Sequence, residues 1–164
     1  MHVMVDLETF GTSNQAYIAS IGAVCYTEDR SVWKAFYKTI DPNSPGNGEL
    51  TARTVDWWLS QDESSRAALR VGQVPLRAAL LEFSAFVPEE ALVWGNGATF
   101  DNVILRNAYE RNGYETPWKF WQDRCYRTLL SLFPKQDVVR VGTYHNALDD
   151  AITQANHHLK LLGK

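Results

Sequence analysis

His2-Val3-Met4-Val5-Asp6-Leu7-Glu8-Thr9-Phe10-Gly11 opens the chain as a short β-type run, expected over residues 2–7, whose apolar pattern ends in two acids. In a strand successive side chains alternate faces, so Asp6 and Glu8, two apart, project to the same side. A like-charged pair at a strand end repels and raises one pKa, and a cation is the simplest reason to place it there. Hard oxygen donors in this arrangement suit Mg²⁺ or Mn²⁺. On spacing alone, a solvent-facing strand edge explains most such pairs. Gly11 tips the balance toward a site, because it breaks the strand just after Thr9-Phe10 and exposes backbone where a ligand can approach.

Working outward, residues 16–27 and 32–40 read as two further strands joined by the polar turn Glu28-Asp29-Arg30, which makes a three-stranded meander. Residues 41–49, rich in Pro, Gly and Asn, form a loop. From residue 51 to about 87 the pattern turns helical. Val55, Trp58 and Leu59 share one stripe, and Pro75 opens a second helix carrying Leu76, Ala79, Leu80, Phe83 and Phe86. These helices are expected to cover the meander. Residues 91–94 form a compact apolar strand ending at Gly95-Asn96-Gly97, and a helix then runs from Thr99 to a stop at Asn112-Gly113. The aromatic segment 117–126 is ambiguous, with a short last strand near Cys125, and residues 127–133 read as a short helix ended by Pro134. After a polar loop over 135–144, residues 145–162 form an amphipathic helix, with Leu148, Ala151, Ile152, Ala155, Leu159 and Leu162 on one stripe.

At 164 residues and 45% hydrophobic content the chain can fill one core, so 1–164 is expected to be a single domain. A net charge of −3 supplies no global basic field, although cations bound at an acidic centre would offset part of it. Two cysteines without ligand spacing imply neither a disulfide framework nor a zinc site. With the strand beginning so near Met1 no cleavable leader is expected, and no apolar run approaches the ~20 residues that span a bilayer. A soluble, reducing, cytoplasmic setting is expected, with no membrane partner.

Four more positions bear on chemistry. Asp101 stands behind Gly95-Asn96-Gly97 at the start of a helix, where it also suits the helix dipole. His145 precedes Asp149 and Asp150, and neither acid lies on the apolar stripe, so periodicity does not choose between them. The motifs Asp6-Leu7-Glu8-Thr9-Phe10-Gly11, Asn96-Gly97-Ala98-Thr99-Phe100-Asp101 and His145-Asn146-Ala147-Leu148-Asp149-Asp150 stand in that order. Together they resemble those of the DEDDh exonucleases of the DnaQ-like, RNase H-like superfamily. Within it the likeness is to exonuclease VIII-like proteins and Rv2179c-like exoribonucleases, through Trp94-Gly-Asn-Gly-Ala-Thr-Phe-Asp-Asn-Val-Ile-Leu105 above all.

The resemblance implies an α/β, RNase H-like fold: a mixed five-stranded sheet, its first three strands antiparallel, with helices on both faces. It implies two divalent metal ions, Mg²⁺ or Mn²⁺, one on Asp6, Glu8 and Asp150 and a second on Asp6 and Asp101, partly through water. Its spacing selects Asp150 over Asp149 and makes His145 the general base, a role suited to an imidazole that titrates near neutrality. Backbone near Thr9 would meet the 3′ hydroxyl, and Phe10 and Phe100 are the candidates to stack on the last base, although Phe100 equally suits a core position. The implied reaction is stepwise hydrolysis of a single-stranded 3′ end to nucleoside 5′-monophosphates, with a slight preference for DNA over RNA. By analogy only, a homodimer is expected. A catalytically silent binding or assembly module would lack one of the four acids or His145, and none is missing.

Overall fold

Strand β1 (His2–Thr9) is buried along nearly its whole length, which requires a neighbour on each edge and a layer on each face. The computed structural model, which describes residues 1–164, supplies all four. Strand β2 (Ile18–Tyr26) runs antiparallel on one edge and β4 (Leu92–Gly95) parallel on the other. Strand β3 (Trp33–Thr39) adds antiparallel to β2, and β5 (Asp123–Cys125) adds parallel to β4, giving the order β3-β2-β1-β4-β5. The expected meander and mixed five-stranded sheet are present. Strand β1 runs two residues past the expected end because Glu8 pairs with Ser20 and, after a bulge, Thr9 pairs with Ile18.

Alternation along β1 sends Val3, Val5 and Leu7 into one core and Met4 into another. Helices α3 (Leu76–Phe86) and α4 (Asp101–Arg111) bury Leu80, Phe83, Ile104 and Leu105 in the first. Helices α5 (Tyr126–Leu130) and α6 (Ala147–Leu161) bury Tyr126, Ala151, Ala155 and Leu159 in the second. Each large aliphatic side chain buried this way contributes about 1.5–3 kcal/mol. Asp6 and Glu8 fall on the α6 face, beyond Met4, where the second core gives out.

Three helical expectations are corrected. The segment 51–87 holds three helices: α1 (Ala52–Leu59), α2 (Glu63–Ala68) and α3. The first two pack beside the sheet where β1 ends and β2 begins, Trp58 and Leu69 closing on Ala19. Thr99 lies in a turn, and α4 starts only at Asp101. The last helix starts at Ala147, because the Asn146 side chain accepts from the Leu148 and Asp149 amides and so terminates it there. No helix is long and apolar enough to cross a membrane.

The first turn of α6 rests directly on β2 at Gly22, which pairs with Asp6, and a Cβ there would overlap the Ala147 and Leu148 backbone. Gly22→Ala is therefore expected to push α6 from the sheet, costing about 3 kcal/mol and lowering the melting temperature by roughly 10 °C. A melt within 2 °C of the parent, roughly the shift for half a kcal/mol, would show that α6 can slide without cost.

Candidate active site

Asp6 and Glu8 stand at the end of β1, and Asp101 is carried toward them by the first turn of α4. The Leu7 amide donates to Asp101 Oδ1 at 3.2 Å and the Gly97 amide to its Oδ2 at 3.2 Å. Gly95 permits that approach, since a Cβ there would overlap the Asn102 side chain and crowd Asp101. Asn102 then ties α4 to the sheet, its Nδ2 donating to the Val93 carbonyl at 3.0 Å and to Asp123 Oδ1 at 2.8 Å.

Asp150, on the first turn of α6, closes the group: ligand oxygens of Asp6, Glu8 and Asp150 lie within 4.8 Å of one another. Asp149 is engaged elsewhere, its Oδ2 accepting from the Thr143 amide at 2.7 Å. His145 lies two residues before α6 with φ of 59°, a left-handed conformation that costs a non-glycine residue on the order of 1 kcal/mol. It lines one cleft of about 520 Å³ together with Asp6, Glu8, Asp101 and Asp150. That cleft continues into a hollow of about 680 Å³ bounded by Thr9, Arg53, Trp57, Phe100 and Arg127.

Burial dominates the electrostatics of the acids. It pushes Asp6 well above the usual carboxylate range, and the neighbouring charges of Asp101, Glu8 and Asp150 add to the shift. Burial, with Asp150 and Asp101 behind it, raises Glu8 to about 8 against a partial offset from Arg140. Asp101 rises to about 6 through burial, held back by its two backbone amides. Counter-contacts are few. Gln154, a helical turn beyond Asp150, donates from Nε2 to Asp6 Oδ1 at 2.8 Å, and Arg140 pairs with Asp150 while lying 4.4 Å over the Tyr144 ring. Four acids in a water-poor cleft, met by the Gln154 amide, two backbone amides and the guanidinium groups of Arg140 and Arg127, are still short of positive charge, and their all-oxygen donor set fits a hard divalent cation.

These shifts make stability depend on pH. Glu8 keeps its proton to about pH 8 in the folded chain, whereas unfolded it releases it near the ordinary carboxylate value. The folded state therefore binds more protons across that interval, and stability falls as pH rises toward 8. Half-buried His2 and buried His157 and His158, whose pKa values are lowered by burial, act in the opposite sense below their ordinary value. Between about pH 7 and 8.5 the histidines no longer titrate and Cys125, whose pKa is lowered, offsets part of the trend, so the metal-free protein is expected to lose on the order of 1 kcal/mol, or roughly 2–4 °C. Excess Mg²⁺ or Mn²⁺ should raise the melt more at the alkaline end. A metal-free melting temperature that holds or rises across the window would mean that the acids ionise without help.

The residues expected to contact substrate separate. Thr9 and Phe100 line the hollow beside Glu8. Phe10 does not reach it: its ring packs against Tyr17 and Trp58 and faces an apolar cavity of about 300 Å³ on the other side. Phe100 is also packed against the first core, so it serves both as core and as wall. Residues of the site that the sequence does not place there include Gln154, Arg53 and Trp57. The spacing of Gln154 from Asp150, one helical turn, is the available signal. Trp57 is 41% exposed on the hollow, and nothing in the Trp57-Trp58 pair marks which ring points there. Of the basic residues near the last loop, Arg127 lines the cleft and Arg140 pairs with Asp150. Arg124 instead donates to the Trp121 carbonyl at 2.8 Å.

Comparison with known proteins gives a family match and fold matches. No curated protein matches the sequence. Exonuclease X, solved in complex with 5′ overhanging duplex DNA, superposes with a TM-score of 0.64 at 16% identity, covering 99% of this chain and 92% of that one. The nuclease domain of 3′hExo, a DEDDh family member bound to rAMP, gives 0.62 at 12% identity, covering 98% and 90%. These likenesses establish the fold as DnaQ-like, of the RNase H-like type. Residues 1–162 match the family described as the 3′-5′ exoribonuclease Rv2179c-like domain, so the chain belongs to that family of 3′-5′ exonucleases.

Proposed function

We infer that the protein trims single-stranded RNA from its 3′ end, releasing nucleoside 5′-monophosphates, with Asp6, Glu8, Asp101, Asp150 and His145 as its reactive centre. The observation that carries this reading is the convergence of all five residues on one cleft, with donors of Asp6, Glu8 and Asp150 within 4.8 Å of one another. DEDDh enzymes use divalent metals. Here Asp6, Glu8 and Asp150 would hold one ion, and Asp6 with Asp101 a second, more loosely because both Asp101 oxygens already accept backbone amides. Bound there, the ions supply charge stabilisation for the attacking and leaving oxygens of an in-line displacement.

The chain's own residues do the rest. His145 takes the proton of the attacking water, from a loop position where its ring reaches the cleft. Arg127, on the wall of both the cleft and the hollow, balances phosphate charge. The hollow receives the last nucleoside, with Thr9 backbone beside the sugar and Phe100 and Trp57 offering aromatic surface to the base.

RNA is preferred over DNA on the description of the family, which replaces the slight preference for DNA drawn from the sequence. The DNA reading keeps one support, the duplex DNA held by exonuclease X. Matched 5′-labelled single strands of RNA and DNA separate the two: RNA is expected to shorten at least about tenfold faster, a difference that one sugar-hydroxyl contact can supply. Equal rates would remove the preference, and faster DNA trimming would reverse it.

A further inference from the structure

His145 is an unusual residue to leave unsupported, because a general base must present one ring nitrogen at a fixed place. Its ring is held by aromatic contacts. The Trp57 ring meets it edge-on at 4.9 Å and 84°, and Trp58 meets it at 6.2 Å and 79°. Its backbone is left-handed, a conformation an L-residue keeps only when the surroundings hold it. The hold comes from a distant helix. Ser65, on α2 and only 3% exposed, donates its hydroxyl to the Tyr144 carbonyl at 2.8 Å across 79 residues of sequence. That carbonyl belongs to the same peptide unit as the His145 amide, so the bond fixes the plane from which the His145 φ is measured.

The same helical segment reaches β1. Trp58 Nε1 donates to the Thr9 carbonyl at 2.9 Å, one residue beyond Glu8. Helices α1 and α2 thus touch both the strand that carries two of the acids and the loop that carries the histidine. Their side chains contribute nothing to the acid group itself. We propose that Ser65 and Trp57 are positioning residues for His145, Ser65 through the Tyr144–His145 peptide and Trp57 through its contact with the imidazole ring, so that the α1–α2 segment sets the reach of the base. This rests on the reading of His145 as the general base.

A double-mutant cycle tests it. Ser65→Ala is expected to lower kcat about tenfold with KM changed less than twofold, since it frees a backbone plane and removes no substrate contact. Ser65→Thr, which keeps the hydroxyl, should restore most of the loss. In a His145→Ala background, Ser65→Ala should change kcat less than twofold, because there is no longer a base to misplace. Trp57→Leu gives a second route. It should shift the His145 ring-proton resonances in the folded protein, and in the His145→Ala background its effect on kcat should vanish while any effect on KM persists. Calorimetric Mn²⁺ binding should be unchanged in Ser65→Ala, which separates positioning of the base from general damage to the cleft. Equal losses with and without His145, or no loss from Ser65→Ala, would overturn the positioning role while leaving the base assignment intact. If His145→Ala itself retained more than a third of kcat, the base assignment would fall and the positioning role with it.

Discussion

Asp150→Asn is expected to reduce kcat by at least about 10³-fold, whereas Asp149→Asn, one residue away, should retain a third or more of the parent rate. Removing a charged metal ligand forfeits several kcal/mol of transition-state stabilisation, and each 1.4 kcal/mol is about tenfold in rate. Asp150 shares its corner with Asp6 and Glu8, and its charge is one of the causes that raise both. Asp149 does a local job, accepting from the Thr143 amide, and an asparagine oxygen can take over that bond. Both variants should keep the parent's circular dichroism. Calorimetry with Mn²⁺ gives the independent readout, with affinity collapsing for Asp150→Asn alone. If the two variants traded places, the acid facing Asp6 in solution would be Asp149, and the start of α6 would have to be rotated from the one Asn146 caps.

His145→Ala is expected to lower kcat by about 10²–10⁴-fold, the range for a positioned general base. The substitution removes no carboxylate, so Mn²⁺ affinity should stay within threefold of the parent. KM should also move little, because the hollow keeps Thr9, Arg53, Phe100 and Arg127. A rise in KM at constant kcat would instead mark His145 as a substrate-binding residue, and activity would then depend on another proton acceptor. The two effects differ in kind. Asp150→Asn removes a ligand of the proposed cation site, and His145→Ala leaves that site intact.

Much of the fold is legible in local pattern. The alternation in β1, the polar turn before β3, Pro75 opening α3 and the stripe along α6 each reflect a period set by backbone geometry, so each can be read without knowing any neighbour. Where expectation and structure differ, the cause is in several places a contact from elsewhere in the chain, whereas the later start of α6 is set locally by Asn146. Strand β1 gains Glu8 and Thr9 because β2 continues to pair with them. Helix α2 is six residues long and buries Ser65, whose partner Tyr144 is 79 residues distant, and no periodicity shows in so short a piece. Phe10 turns away from the cleft because Tyr17 and Trp58 pack against its ring.

For the site, Asp6 and Glu8 share a face because a strand alternates, and that much belongs to the sequence alone, as do the three ordered motifs and their spacing. Whether Asp149 or Asp150 joins them is not decided by helical period, since both flank the apolar stripe of α6. The packing of α6 against β2 at Gly22 orients that helix and presents Asp150, because so close an approach of two backbones needs a residue that has no side chain. Proximity of charges is likewise a tertiary fact. Asp6, Glu8, Asp101 and Asp150 are ordinary carboxylates in the unfolded chain and become the proposed cation site only when folding removes their water and sets them beside one another.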